Sequence, residues 1–507
     1  MTNGTKVTKR NGKNEPLDLN KLHVMVEEAC KDLAGVSASQ VEIQSGIQFY
    51  DGITTDEIQE ILIRSASDLV SLDNPNYQFV AARLLLFAVR KQLYGRMHET
   101  PTVKEQVEQC VAKEVYDAEI LDLYSDEEFD KLQSFIDHDR DYLFTYAGLR
   151  QVCDKYLVQD RSNGKVYETP QFMYLLIAAT IFSKYPKETR LDYVRKYYDA
   201  ISRHKINIPT PIMAGVRTPL RQYASCVLVD VDDTLDSIFS SDMAIGKYVA
   251  QRAGIGINAG RIRGINSKIR GGEVQHTGVV PFLKVANDTA VAVNQGGKRK
   301  GAMCAYLESW HIDIEEFTEL RKNTGDDRRR THDMNTANWI PDLFMQRVCE
   351  DEQWTLFSPD ETPDLHDAFG KEFEVLYCDY ERKADLGEIR NFKRVRAVEL
   401  WRKMLAMVYE TGHPWFTFKD ACNLRSPQQH TGVVHSSNLC TEITLNTSPD
   451  KEIAVCNLGS VNLTQHILDG ALDSNKLEKT INTAMRMLDN VIDYNYYSVA
   501  TAKASNL

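Results

Sequence analysis

The sequence predicts an α/β protein built as a small N-terminal unit, a helical middle and a C-terminal region where strands and helices alternate. From about residue 221, short β-rich pieces such as SCVLVDV (225–231) and WTLFSP (354–359) alternate with amphipathic stretches such as LDSIFSSDMAIGKYVAQR and AVELWRKMLAMVYE. That alternation is the mark of βα units around a buried sheet or barrel. Between 96 and 220 the apolar residues recur mainly at helical spacing, from Phe129 to Val158 and again from Gln171 to Ile206. A chain of 507 residues has room for roughly three domains at about 150 residues each. The boundaries expected are 1–95, 96–220 and 221–507.

The first unit opens with VTKRNGKNEPLDL, where Asn11-Gly12 between short apolar pieces signals a hairpin. Asp18 or Asn20 can cap a helix bearing Leu22, Val26, Cys30 and Leu33. A second helix starts near Thr54–Asp56 and carries Ile58, Ile61, Leu62, Leu69 and Val70; a third runs through VAARLLLFAVRKQLYG. Lys9, Arg10, Lys21 and Lys91 could line an anion pocket there, or form a solvated basic turn. In the middle region DRSNGKVYET places another hairpin turn at Asn163-Gly164, and the tyrosines of DYVRKYYDA read as packing.

Composition excludes several function classes. Apolar residues at 43% and charged residues at 26% fit an ordinary globular chain, not a disordered or collagen-like one. A net charge of −12 disfavours a general nucleic-acid or membrane-surface binder. The longest apolar run, Phe172 to Phe182, falls short of the ~20 residues that span a bilayer. The polar start MTNGTKVTKRNGK has no apolar stretch behind it and is not a signal peptide. A cytoplasmic protein with neither nucleic acid nor membrane as partner is expected. None of the ten cysteines falls in a CxxC or CxH pair, so zinc-ligand and thioredoxin-type spacings are absent.

The glycine-rich stretch AGIGINAGRIRGINSKIRGGE holds Gly254, Gly256 and Gly260, a GxGxxxG spacing that is weak as a dinucleotide fingerprint. With Arg261, Arg263, Lys268 and Arg270 it could let backbone approach a phosphate. NQGGKRKGA (294–302) repeats that chemistry without the Walker A order. An RNA patch at this loop or at Arg328–Arg330 is opposed by Asp326 and Asp327. The strongest local signal is SSNLCTEI, with Asn438, Cys440 and Glu442 at i, i+2 and i+4. In an extended segment these three project to one side: an amide donor, a sulfur and a base. A polar edge strand with a buried cysteine is the plainer reading. Cys226 and Cys456 lie in apolar, strand-like contexts, and two thiols that meet could cycle to a disulfide and deliver two electrons. Sequence alone does not bring them together.

Taken in order, VTKRNG, IQFYDGI, FIDHDRD, PTPIMAGVRTP with SCVL, QRAGIGINAGRIR, QGG, LFSP, SNLCTEI and the later cysteine resemble the large, catalytic subunit of class I ribonucleotide reductase. The resemblance implies an ATP-cone (1–95), a helical segment, and a ten-stranded α/β barrel of two five-stranded parallel halves around a finger loop. By match, Cys440 would become a thiyl radical that takes the 3′ hydrogen of a ribonucleotide, Glu442 would take the 3′-OH proton, and Asn438 would hold the ribose hydroxyls. Cys226 and Cys456 would supply protons and two electrons and end as a disulfide. Thr210, Ser225 and Gly254 match the substrate site, and Gln295 and Arg299 the loop that relays effector identity to the substrate base. Lys9, Arg10, Glu15, Lys21, Thr55 and Lys91 match the ATP/dATP activity site. Asp233, Leu235, Arg263 and Arg270 match the specificity site for deoxynucleoside triphosphates. Gln59 stands where some relatives carry histidine.

The resemblance also implies that large subunits continue some 200 residues further, with a paired-tyrosine relay and a C-terminal cysteine pair. YNYY (Tyr494, Tyr496, Tyr497) matches a helix end and reads as packing. The expectation is therefore a chain covering the first half of the barrel and the start of the second. It would work with a completing C-terminal fragment, a homodimeric partner copy, and thioredoxin or glutaredoxin as donor. No carboxylate/histidine cluster of di-iron type is expected here, so the radical would come from a di-metal tyrosyl-radical cofactor on a small subunit, with no metal or covalent cofactor in this chain. The competing expectations are a regulatory nucleotide-binding fragment without turnover and a glycyl-radical enzyme sharing the barrel.

Overall fold

The Asn11-Gly12 turn does what its residues dictate. In the computed structural model, which describes residues 5–46, 48–160, 162–294 and 301–507, Lys6–Thr8 pairs antiparallel with Asn14–Pro16, Lys6 opposite Pro16. Gly12 supplies the positive φ of 80° that closes the hairpin. Ile53–Thr54 adds in parallel to the other edge of Lys6–Thr8. Asp18 caps the helix Leu19–Cys30 by accepting from the N–H groups of Asn20 and Lys21. Thr54 and Glu57 form a reciprocal capping box at Thr55–Asp68, satisfying two otherwise orphaned donors. The helix Tyr77–Tyr94 follows and stops at Gly95 in the left-handed region. Gln59 is buried, its Nε2 donating to the Leu84 carbonyl at 2.9 Å, which ties these two helices together. A further short helix, Ala38–Gly46, forms where the sequence reading named no element.

The middle region is helical, as its periodicity requires. Capping boxes at Thr102/Glu105 and Ser125/Glu128 open Val103–Val111 and Asp126–Phe135. Every residue of Pro170–Phe182 is buried, so the longest apolar run is a core helix, apolar all round because it is enclosed all round. Among the described residues no helix is long and apolar enough to cross a membrane. The fully buried Arg217 is held by the equally buried Glu168, Nε to Oε2 at 2.8 Å; Glu168 also accepts from the Tyr116 hydroxyl at 2.5 Å and the Val158 N–H. Two compact units emerge: Met1–Arg221 with Gly459–Tyr494, and Gln222–Leu458 with Asn495–Leu507. The long helix Ser474–Tyr494 thus packs in the first unit, against Pro170–Phe182 and Arg190–Ser202.

The second unit is built on a six-stranded sheet: β1 (Cys226–Asp230), β2 (Gly254–Asn258), β3 (Ala302–Glu308), β4 (Asn335–Ile340), β5 (Trp415–Phe418) and β6 (Ala454–Cys456). The spatial order is β5-β4-β3-β2-β1-β6. β1 to β5 are mutually parallel, and β6 joins β1 antiparallel. One five-stranded parallel half and one strand of opposite sense are therefore present among the described residues. Side chains alternate across the sheet. One face presents Val227, Val229, Ile255, Ile257, Met303, Ala305 and Leu307 to the helices, in one large apolar core. The other carries Cys226, Gly254, Gly256, Cys304 and Tyr306, with Asp230, Asn258 and Glu308 at the strand ends.

One strand expectation is corrected. Gln353–Phe357, from WTLFSP, pairs antiparallel with Phe392–Arg396 outside the main sheet. Trp354 stacks there on Tyr377 of the helix Gly370–Asp385, ring centroids 4.4 Å apart. Of YNYY, Tyr497 belongs to the core and Tyr494 hydrogen-bonds Ser183, but Tyr496, expected to pack, is exposed.

Candidate active site

The segment from Val434 to Ile443 crosses the polar face of the sheet without strand structure. Val434 and Leu439 pack on Cys304, Tyr306, Ala337 and Trp339. The extended alternation expected for Asn438, Cys440 and Glu442 is not what groups them. Thr441 N–H reaches back to Asn438 O at 3.4 Å, and Thr441 sits at φ +67°. The cause is Asn438, whose Oδ1 accepts from the N–H of both Glu442 and Ile443 at 3.2 and 3.1 Å. A short amide side chain bonding nearby backbone competes with a ladder and curls the segment into a tight turn.

The turn still gathers the polar groups. Asn438 Nδ2 donates to Cys226 Sγ at 3.1 Å, and Cys226 Sγ lies 4.0 Å from Glu442 Oε1. The Tyr306 hydroxyl donates to Asn438 O at 2.6 Å, and Ser437 Oγ to Ile443 O at the same distance. Asn438 is fully buried, whereas Cys440 and Glu442 are exposed at the apex. Cys440 is electrostatically coupled to Cys304 on β3. Cys226 and Cys456 face each other directly in the β1–β6 register. Antiparallel partners hold their Cα atoms ~4.5–5.5 Å apart, inside the ~4.4–6.8 Å that a disulfide spans. Both are present as thiols. Burial pushes the Cys456 thiol up to about 12, with Cys226 and Glu442 adding to it.

Two glycines make this approach possible. A Cβ on Gly256 would stand 1.8 Å from the Ser437 carbonyl oxygen, and one on Gly254 would stand 2.9 Å from Leu439 Cδ2. The GxG of the glycine-rich stretch therefore clears room for the chain's own turn, not for a phosphate. Ser225 lies beside it, buried, its carbonyl accepting from Gly254 N–H at 2.8 Å.

Residues 224–507 match the family described as ribonucleotide reductase, barrel domain; 142–221 match its all-alpha domain, and 5–92 the ATP cone domain. The chain belongs to the ribonucleotide reductase family. It is 44% identical over 519 residues to the ribonucleoside-diphosphate reductase subunit alpha of Haemophilus influenzae, covering all of this chain and 67% of that protein. To the ribonucleoside-diphosphate reductase 1 subunit alpha of Escherichia coli it is 46% identical over 453 residues, 89% of this chain and 59% of that one. The Chlamydia muridarum subunit alpha is also 46% identical, over 90% of this chain and 44% of its own length. The chain thus spans between under half and about two thirds of these relatives.

In this ribonucleotide reductase chain the turn is anchored upstream by a buried charge network that sequence reasoning missed. His435 Nε2 lies 2.7 Å from Asp367 Oδ1 and its Nδ1 3.5 Å from Asp230 Oδ2, while its ring stacks on His366 with centroids 4.2 Å apart and planes 13° from parallel. Burial opposes charge on His435, but Asp230 and Asp367 outweigh it and raise its pKa. Burial and the neighbouring His435 push His366 well below the usual histidine range, so the two stacked rings shift in opposite directions. Lys419, fully buried, donates to both Glu308 oxygens at 3.0 Å and to two carbonyls. Asp230, His366 and His435 offer ligand atoms within 4.8 Å of one another. Stacked, parallel imidazoles cannot both hold one ion in their ring planes, so the cluster is built as an ionic clamp. A signal was available: Asp230, Asn258 and Glu308 lie four residues after Cys226, Gly254 and Cys304, on the same face by period-two alternation.

The matched allosteric residues separate into groups. Lys91, half buried beside Met25 Sδ at 3.1 Å, has its pKa lowered by burial and then by Arg10 and Lys9, so these three cations converge. Arg10 pairs with Asp56 at 2.8 Å, next to Thr55, and Lys9 with Glu15 at 3.5 Å; Lys21 pairs with its neighbour Asp18 at 3.6 Å. In the second unit Asp233 binds Arg263 twice, at 2.7 and 3.0 Å. Leu235 is exposed, and Arg270 takes φ +50°. Thr210 lines a cavity of about 700 Å³ in the first unit with Tyr156, His204 and Asn207. Gln295, Arg299 and the rest of the 295–300 loop lie outside the described residues.

Two outcomes follow for this site. Gly256→Ala should displace the turn, destabilise by about 1–3 kcal/mol and expose Cys226 to thiol reagents; an unchanged alkylation rate at Cys226 would contradict the close approach. Because the folded pKa of His435 is raised, its stabilisation is complete below about pH 6.5 and disappears as pH climbs through the folded value. Unfolding free energies of wild type and His435→Gln from urea titration should therefore differ by about 2 kcal/mol in the acid range and converge in alkali. A pH-independent gap would remove the charged clamp.

Proposed function

We propose that this chain is the radical-bearing part of a ribonucleoside-diphosphate reductase large subunit, making deoxyribonucleoside diphosphates for DNA synthesis. The carrying observation is the meeting of Cys226, Asn438 and Glu442 beneath Cys440, with Cys456 facing Cys226 across the ladder. In this reading a thiyl radical at Cys440 takes the 3′ hydrogen of the ribose. Glu442 accepts the 3′-OH proton, and the 2′-hydroxyl leaves as water with a proton from the thiol pair. Cys226 and Cys456 give up two electrons and join as a disulfide, their second hydrogen going to C2′; Glu442 returns its proton to the 3′ oxygen, and Cys440 returns the 3′ hydrogen. One dithiol is consumed for each C–O bond replaced by C–H, so atoms and electrons balance. Asn438 holds the hydroxyls and the turn together, an orientation role. The raised pKa of Cys456 keeps it a protonated thiol, as a proton donor must be.

Nucleotide control is proposed at two places: ATP or dATP at the converging cations Lys9, Arg10 and Lys91, with Glu15, Lys21 and Thr55 around them, and deoxynucleoside triphosphates at Asp233, Leu235, Arg263 and Arg270. The substrate contacts proposed are Thr210, Ser225, Gly254, Gln295 and Arg299. Leu235, Phe239 and Met243 leave an exposed apolar stripe on the helix Leu235–Ala250, which supports pairing with a second copy. The other partners proposed are a small subunit whose di-metal site generates the radical, and a thioredoxin or glutaredoxin that re-reduces the disulfide.

In the reconstituted complex Cys440→Ser should abolish deoxynucleotide formation while effector affinity stays within error; retained turnover would overturn the radical assignment. Mild diamide oxidation should give a Cys226–Cys456 cross-linked peptide by mass spectrometry, and its absence would remove the redox pair.

A further inference from the structure

Two helices of the first unit, Arg190–Ser202 and Ser474–Tyr494, frame a cleft of about 610 Å³ lined by Lys196, Lys205, Lys476, Lys479 and Arg486. Lys476, Lys479 and Arg486 fall at i, i+3 and i+10, along one face of their helix. The cleft's single carboxylate, Asp199, is already taken by Arg140 at 2.7 Å. Among the described residues none of the five cations has a carboxylate within ion-pair distance. Tyr193 fixes two of them over its ring: Lys196 Nζ at 5.4 Å and the Arg486 guanidinium carbon at 5.3 Å from the centroid. Thr483 and Asn482 add polar groups to the lining.

This arrangement is unfavourable without a counter-charge. Like charges gathered in a partly desolvated cleft repel one another. Lys205 shows it directly: burial lowers its pKa, and the charges of Lys476 and Arg203 lower it further. Lys476 also stands in the first turn of its helix, where the dipole favours an anion. A solvated basic face would spread its lysines; here they converge on a cavity, in a chain whose net charge is −12.

We propose that this cleft binds an oligophosphate, either the phosphate chain of a nucleotide or inorganic polyphosphate. Its size suits a small ligand, since such pockets run ~300–1,000 Å³. Its five cations answer several negative charges packed within a few ångströms, a density that a phosphate chain has and an acidic peptide, with one carboxylate per residue, does not. The inference stands apart from the barrel chemistry.

The test is calorimetric titration of the full chain with inorganic tripolyphosphate. Lys479→Glu combined with Arg486→Glu changes two exposed residues and should weaken binding about tenfold or more. Lys479→Arg with Arg486→Lys should leave it near wild type, and Lys9→Ala with Arg10→Ala, in the N-terminal unit, should leave this binding event intact. Unchanged affinity after charge reversal overturns the proposal, as does binding of a polyglutamate peptide in place of tripolyphosphate. Photolabelling with 8-azido-ATP separates the two sources: label within 190–205 or 474–486 assigns a nucleotide, and tripolyphosphate binding without label there assigns the inorganic chain.

Discussion

No side chain can stand where β2 faces the Ser437 carbonyl, and the candidate active site depends on that constraint. A Cβ at Gly256 would lie 1.8 Å from that oxygen, well inside the separation that any two such atoms tolerate. Without side chains at 254 and 256, the backbone of the turn lies directly on the sheet. Only at that depth can Asn438 reach the sulfur of Cys226, two strand positions away, and present its carbonyl to Tyr306. The placement of Glu442 is downstream of the same contact, because its N–H is held by Asn438 Oδ1.

The turn is strained and therefore over-determined. Thr441 is β-branched yet takes φ +67°, a conformation that costs of order 1–3 kcal/mol. Asn438 offsets it by using all of its side chain at once, two backbone donors on Oδ1 and the Cys226 sulfur on Nδ2. On the upstream side His435 ties the segment to Asp367 and Asp230, and Asp230 ends the same strand that begins with Cys226. Buried charges are destabilising when single and tolerable when paired and hydrogen-bonded. Lys419 with Glu308, and His435 with its two carboxylates, meet that condition. The turn is thus tied on its upstream side by paired charges and on its downstream side by the hydrogen bonds of Asn438.

Much of the scaffold was legible because it is set locally. Asn11-Gly12, the Asp18 cap, the helix start near Thr54–Asp56 and the alternation of strands and helices each act within a few residues, and each appears where its chemistry puts it. The site was legible in its membership and not in its geometry. Alternation along 438–442 presumes a strand partner, and Asn438 intercepts the backbone before a ladder can form. The glycines of AGIGINAG announced a close backbone approach, but the sequence could not say that the approaching chain is residue 437 of the same polypeptide. The Cys226–Cys456 facing pair spans over two hundred residues, and only the register of β6 on β1 reveals it. The resemblance to ribonucleotide reductase supplies the proposed roles; local patterning offered only an amide donor, a sulfur, a base and a thiol pair.

The environment of the two thiols bears on when they can react. A thiolate, not a thiol, is the nucleophile of disulfide exchange. Burial, with Cys226 and Glu442 beside it, pushes the Cys456 thiol up to about 12; on the proposed chemistry such a thiol keeps its proton for the leaving hydroxyl. The same burial makes the return step asymmetric. On the proposed chemistry an external thiolate must reach one sulfur of the disulfide along its axis. Cys226 is buried on the sheet under Asn438, whereas Cys456 is only partly covered, on the three-residue strand β6. In that chemistry, attack at Cys456 would release Cys226 as a thiolate, which takes its proton from the external dithiol. On the proposed chemistry, the cover over Cys226 would make Cys456 the sulfur through which the dithiol is restored.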